Sequence, residues 1–297
     1  MMVKEVLIAV MVFLAASAAM MTGCVSQNIE HDTRVQVVTT LVPLGEFARM
    51  VGGERVDVLV LVQPGAEPHT FEPTPSQMKR IEDADLYVKN GAGLETWMDR
   101  VVGVNENLKV VDSSRGVELI TGYEDHDHSA GETELGVDPH IWLSPKSAMI
   151  QVENIYQGLA EVDPEGKEYY RANCDVYLKN LTDLDAYLTE RLSGVEGRAL
   201  IVDHPAWSYL ARDYGLRLIA IEERENEPGP KHLAELVQTA REENITTIFV
   251  EPQFNPKSAE VIARELHARV EPLDPLAEDY IANLKLTGDK IAESLGA

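Results

Sequence analysis

From residue 35 onward, short β-branched, almost unbroken apolar runs alternate with stretches whose apolar residues recur every three or four positions. Runs of the first kind suit strands covered on both faces of a sheet, and stretches of the second kind suit amphipathic helices. The runs fall at 35–41, 55–62, 85–90 and 109–112, then at 198–203, 216–221, 246–250 and 269–273. Helical stretches lie between them. The pattern predicts helices from Pro43 to about Met50, closed by Gly52-Gly53, and from Thr74-Pro75, with Gln77 placed to complete a capping box. Further helices are predicted over about 94–102, from Ser144-Pro145 to about Glu161, after His204-Pro205, over about 230–244, up to about Ala268, and from about Glu278. Strand–helix alternation of this kind predicts an α/β fold with parallel-type sheets and crossover helices.

One helical stretch is longer than the rest. Asp163-Pro164 reads as a cap with a first-turn proline, and Tyr177, Leu181, Leu184, Leu188 and Leu192 continue the spacing to Ser193-Gly194. About 30 residues at a rise of about 1.5 Å would span roughly 45 Å, enough to run the height of two lobes. The expected organisation is therefore an N-terminal α/β lobe over 35–162, a single rigid connecting helix over 163–194 and a C-terminal α/β lobe over 195–297.

The first 34 residues follow another pattern. Lys4 precedes an apolar run over 6–19 that is short for a membrane span and gives way to Met21-Thr22-Gly23-Cys24. This reads as a signal peptide over 1–23. Its end resembles the lipobox of secreted lipoproteins, in which cleavage leaves a lipidated Cys24. Residues 24–34 are a polar tether containing His31. With Cys24 carrying lipid, Cys174 has no intramolecular partner and is expected as an inert thiol. The 297 residues, 44% hydrophobic, suffice for one or two domains. A formal net charge of −24 argues against nucleic-acid binding, which requires Lys and Arg against phosphate.

Candidate chemistry gathers around 123–145. This stretch runs from an acidic loop bearing His126 and His128 to the proline-braced turn Asp138-Pro139-His140. Imidazole is the commonest metal ligand, so three His in this company point to metal without showing which of them hold it. Position distinguishes four residues along the whole chain. His69, His204 and Asp274 each follow a predicted strand, where ligands bind in open α/β sheets, and His140 follows the acidic loop. Each adjoins a proline (Pro68, Pro139, Pro205 and Pro275), which restricts the backbone beside it. Three imidazoles and a carboxylate make a closed set suited to a borderline divalent cation. Glu67, Glu72 and Glu251 either orient imidazoles from behind or sit solvated on their loops. Trp142 and Trp207 are candidates for walls of the same cleft, while His232 and His267 fall in helices as surface positions.

Five ordered motifs carry a resemblance: 64–73 (Pro-Gly-Ala-Glu-Pro-His-Thr-Phe-Glu-Pro), 138–143 (Asp-Pro-His-Ile-Trp-Leu), 204–210 with 214–216, 248–253 (Ile-Phe-Val-Glu-Pro-Gln) and 273–276 (Leu-Asp-Pro-Leu). Together they resemble the zinc/manganese solute-binding lipoproteins of metal-uptake ABC transporters, the ZnuA/TroA-like family, from about Val35 to the end. The resemblance implies two α/β lobes joined by one rigid helix, with metal in the cleft between them. It implies His69 and His140 as ligands from the first lobe, and His204 and Asp274 from the second. Members resembling manganese binders often carry a carboxylate at the position of His204. Imidazole there implies Zn²⁺ as the transported ion ahead of Mn²⁺ or Fe²⁺. His126 and His128 resemble the accessory His/acidic loop of zinc-binding members. The implied role is non-enzymatic: a receptor anchored by its lipid to the outer face of the cytoplasmic membrane, serving an ABC permease and its ATPase subunit. Metal affinity is expected to fall as pH drops through the usual His range. The alternative is a secreted zinc-dependent hydrolase with three protein ligands and an open water position, although no HExxH motif occurs; a third possibility is a surface adhesin.

Overall fold

β1 (Val35–Thr39) lies at the centre of the first sheet, between β2 (Val56–Val60) and β3 (Leu86–Lys89), and β4 (Lys109–Asp112) completes the order β2-β1-β3-β4 with every pairing parallel. This is seen in a computed structural model that describes residues 33–97, 105, 107–123, 136–222 and 229–296. A second parallel sheet has the order β10-β9-β7-β8, formed by β7 (Ala199–Val202), β8 (Arg217–Ala220), β9 (Thr247–Val250) and β10 (Arg269–Pro272). The chain therefore has the two parallel-sheet α/β lobes that strand–helix alternation predicted.

The helices are α1 (Val42–Gly52), α2 (Pro75–Glu82), α3 (Pro145–Val162), α4 (Lys167–Arg191), α5 (Ser208–Asp213), α6 (Pro230–Glu242), α7 (Lys257–Leu266) and α8 (Tyr280–Leu295). Local chemistry sets several of their ends. Gly53, at φ 53°, ends α1 in a conformation open to glycine, and the Thr74–Gln77 capping box opens α2. Ser144 Oγ accepts from Ser147 N to start α3. The helix expected over 94–102 falls largely outside the described residues, and its described part, 94–97, is turn and coil.

Two further features differ from the reading of the sequence. The long helix does not begin at Asp163-Pro164; a separate single turn, Pro164–Gly166, precedes it, and Asp163 caps that turn through Gly166 N. At 25 residues, α4 spans about 38 Å rather than 45 Å. The second difference is an antiparallel hairpin, β5 (Thr121–Tyr123) with β6 (Gly136–Val137), on either side of the acidic His segment. Two and three residues are too few for a periodic apolar signal.

Side-chain alternation divides each sheet between two cores. Val37, Leu86, Val88, Leu200, Val202 and Phe249 face one continuous core that also takes in α1, α3, α4 and α8. Their neighbours point the other way: Val38 and Tyr87 into a cluster with Ile81 and Trp97, and Ile201 and Ile248 into a cluster beneath α6 and α7. Tyr170, Cys174, Tyr177, Leu181, Leu184 and Leu188 of α4 are buried in the shared core, so the helix is embedded between the lobes and not merely strung across them. Bonds across the lobes reinforce it. Trp142 Nε1 donates to Pro275 O at 2.8 Å, Tyr280 Oη to Trp142 O at 2.7 Å, and Glu46 accepts from both Tyr177 Oη and Tyr280 N. Arg34–Ala297 accordingly forms one compact unit.

Candidate metal centre

The loops beyond β2 and β7 and the turn after β6 bring His69, His140 and His204 together. Among the described residues these three form the group of His, Cys, Asp and Glu whose ligand atoms all lie within 4.8 Å of one another. His69 follows β2 on the proline-rich loop, where Glu67 accepts from His69 N at 2.6 Å and Thr70 N at 2.8 Å. Glu67 thus fixes the backbone of the turn. His140 opens a single helical turn, Ile141–Leu143, and His204 a second, Pro205–Trp207, in extended backbone after β7.

The ring nitrogens define the chemistry. His140 Nδ1 lies 2.8 Å from Asp138 Oδ1, which also accepts from His140 N at 2.9 Å. His204 Nδ1 lies 2.8 Å from Glu222 Oε2. Carboxylate acceptors assign the proton to Nδ1 in both rings, so both Nε2 atoms carry lone pairs. Those two Nε2 atoms stand only 3.2 Å apart, and His69 Nε2 is 3.1 Å from His140 Nε2. Facing lone pairs repel unless a cation lies between them. Zn–N bonds of about 2.0–2.1 Å at tetrahedral angles would separate imidazole nitrogens by about 3.3 Å. The observed spacing fits that requirement.

The surroundings keep the centre dry. His140 and His204 are each 2% exposed, Phe254 stacks on His204 with ring centroids 4.8 Å apart, and Trp142, Pro68, Pro275 and Leu276 line the same cavity. Burial lowers the pKa of His69 to about 2, with help from His140 and His204, and burial also lowers that of His140 despite the opposing pull of Asp138. Both shifts favour the neutral, metal-ligating form of the ring. In the metal-free protein, proton uptake at His69 therefore sets in at lower pH than at an unperturbed histidine.

The other candidates are distributed around this triad. Asp274 follows β10 but lies outside the close group; its Oδ1 accepts from Gln253 Nε2 at 2.8 Å and Leu276 N at 2.9 Å. Glu251 is buried against the cavity, with Trp207 as a side-chain donor and Asp203 accepting from its backbone N–H, and burial raises its pKa well above the carboxylate range. Glu72 is exposed. Trp142 walls the cavity, whereas Trp207 stands behind Glu251. Cys174 is buried, and desolvation pushes its thiol up to about 12. His126, His128 and Cys24 lie outside the described residues. Reading the sequence missed Asp138 and Glu222 as the acceptors that set the tautomers. Asp138 sits two residues before its His and was available as a signal, but Glu222 meets His204 only through the β7–β8 pairing.

The family model described as zinc-uptake complex component A, periplasmic (ZnuA), matches residues 37–294. The chain belongs to the ZnuA family. Among similar proteins, the high-affinity zinc uptake system protein ZnuA of Bacillus subtilis (strain 168) is 34% identical over 252 residues, covering 82% of this chain and 79% of that protein. The zinc-binding lipoprotein AdcA of Streptococcus pneumoniae (strain ATCC BAA-255 / R6) is 31% identical over 271 residues, covering 89% of this chain. That alignment takes in only 54% of AdcA, so the chain spans about half the length of this relative. A crystal structure of ZnuA superposes with a TM-score of 0.83 at 38% identity, covering 89% of this chain and all of that one. The residues matched by the family model take in strands of both sheets, the embedded α4 and the triad loops described above.

Proposed function

We propose that this protein is an extracytoplasmic, high-affinity receptor that captures Zn²⁺ and delivers it to an ABC permease with its ATPase subunit, without catalysing a reaction. The carrying observation is the convergence of three imidazoles, with the Nε2 atoms of His140 and His204 standing 3.2 Å apart and a carboxylate behind each of those two rings. Such a site is built before the ion arrives. His69 supplies the third imidazole, and Asp274 is the proposed fourth ligand, closing the set when the ion is captured. Three imidazoles favour Zn²⁺ over Mn²⁺ or Fe²⁺, which take oxygen ligands more readily. The names of the Bacillus and Streptococcus relatives point to zinc as well, and an uptake-component family favours a receptor over a secreted hydrolase.

Residues 1–23 act as signal peptide in this reading, Cys24 carries the lipid, and 24–34 tether the body to the outer face of the cytoplasmic membrane. Residues 35–162 and 195–297 are the two lobes, with 163–194 between them, and His126 and His128 form an accessory loop. Release proceeds by a small rocking of the lobes, because α4 is buried in a core they share. Among the described residues no helix is long and apolar enough to cross a membrane.

The test is metal content of the purified protein followed by competitive titration of Zn²⁺ against Mn²⁺. One tightly held Zn²⁺ per chain, lost in His140→Ala, is expected. Turnover of ester or phosphoester substrates that disappears in His140→Ala would refute the receptor reading, as would stoichiometric preference for Mn²⁺ refute the choice of ion.

A further inference from the structure

The segment that begins at His204 is bonded to the turn that carries His140. Tyr209, fully buried in α5, donates its phenol O–H to Asp138 O at 2.7 Å and accepts from Ile120 N at 3.1 Å. Those two atoms flank the β5–β6 hairpin, and Asp138 N also donates to Ile120 O at 3.0 Å. One second-lobe phenol therefore closes the base of a first-lobe hairpin. On the same short helix, Arg212 Nη1 donates to Glu118 O at 2.8 Å and Asp213 accepts from Ser144 Oγ. The Tyr209 ring packs with Val117 and Ile141, the latter being the residue after His140.

The consequence falls on the metal centre. Asp138 holds the His140 ring through its side chain, and its own backbone carbonyl is held by Tyr209. His204 stands five residues ahead of Tyr209, across a single turn and the start of α5. The two imidazoles come from different lobes, yet two hydrogen bonds and the segment from His204 to Tyr209 link them. We propose that Tyr209 is a positioning residue that holds the His140 and His204 imidazoles at metal-binding separation across the two lobes. This inference rests on the receptor reading above. Without the phenol oxygen, Asp138 O and Ile120 N both lose a buried partner, the turn relaxes, and part of the metal's binding free energy goes into re-forming the pair.

Tyr209→Phe isolates the oxygen, because the ring and its packing remain. In the full chain, Zn²⁺ affinity is expected to fall roughly tenfold or more, mainly through faster dissociation. The absorption bands of the Co²⁺-loaded protein are expected to shift away from the wild-type tetrahedral pattern. Tyr187→Phe is the control, since it removes a phenol bond of 2.8 Å to Asp289 between α4 and α8, remote from the triad. It should leave both affinity and spectrum unchanged. Equal affinity and spectrum in wild type and Tyr209→Phe would overturn the inference alone, as would an equal loss in Tyr187→Phe. Failure of the wild-type chain to bind Zn²⁺ would overturn the receptor reading and this inference with it.

Discussion

Replacing Asp138 with Asn tests whether the centre depends on a carboxylate behind the ring or only on the ring. Asp138 Oδ1 accepts two bonds, from His140 N at 2.9 Å and His140 Nδ1 at 2.8 Å, and its side chain is 1% exposed. An amide is nearly isosteric and can still accept both bonds through its oxygen. The negative charge that assists them is lost. Net contributions are about 1.5–3 kcal/mol for a hydrogen bond to a charged group and about 0.5–1.5 kcal/mol for a neutral one. The Nδ1 bond should therefore weaken by about 1–1.5 kcal/mol, and a less polarised imidazole is a poorer donor to metal through Nε2. That difference corresponds to a rise in the Zn²⁺ dissociation constant of about tenfold. Competition against a chromophoric chelator, with thermal unfolding of the metal-free proteins alongside, measures both effects. Glu222→Gln provides a ranking: its carboxylate makes one 2.8 Å contact to His204 Nδ1 and its side chain is 20% exposed, so water compensates in part and the loss should be smaller. An unchanged dissociation constant for Asp138→Asn, or a larger loss for Glu222→Gln, would refute the reasoning.

Other predictions follow from the same geometry. Metal removal by a chelator should lower the unfolding midpoint: Zn²⁺ at a thousandfold excess over its dissociation constant contributes about 4 kcal/mol, or roughly 7 °C for a folded body of about 260 residues, which calorimetry would show. For metal-free protein, His69 has a folded pKa near 2 against 6.5 in the unfolded chain, so below about pH 6.5 the unfolded state binds the extra proton and stability falls with pH. Relative to His69→Gln, the wild type should lose about 1.4 kcal/mol at pH 5.5 in denaturant titrations, and parallel curves would contradict the burial of that imidazole. Gly288→Ala should destabilise by about 1–3 kcal/mol without altering Zn²⁺ stoichiometry, because a Cβ there would stand 2.4 Å from Leu188 Cδ2 where α8 meets α4. Asp274→Asn should weaken Zn²⁺ binding more than deletion of residues 125–128 does, and the reverse order in chelator competition would exchange the roles proposed for the fourth ligand and the accessory loop.

The alternation of apolar runs and helical spacing determined the class, the two sheets and nearly every helix, because strand and helix periodicity are local properties. The neighbouring prolines and the strand-end positions singled out His69, His140, His204 and Asp274, of which the fold brings the three His together and leaves Asp274 outside the close group. Local pattern also misjudged the long helix. The cap at Asp163-Pro164 is real but serves a separate turn, and only packing decides that α4 starts at Lys167 and is buried by both lobes. Tertiary structure decided which nitrogen of His204 faces the centre, because the acceptor that fixes its tautomer, Glu222, lies 18 residues from the ring, whereas Asp138 stands only two residues from His140. It also decided that the pKa values of His69 and His140 are lowered, since that depends on burial by side chains from separate loops. A sequence specifies which groups are present and how the nearby backbone runs. The protonation, spacing and coupling of those groups follow from the field and contacts of residues distant along the chain, and these exist only once the two sheets have packed on their shared core.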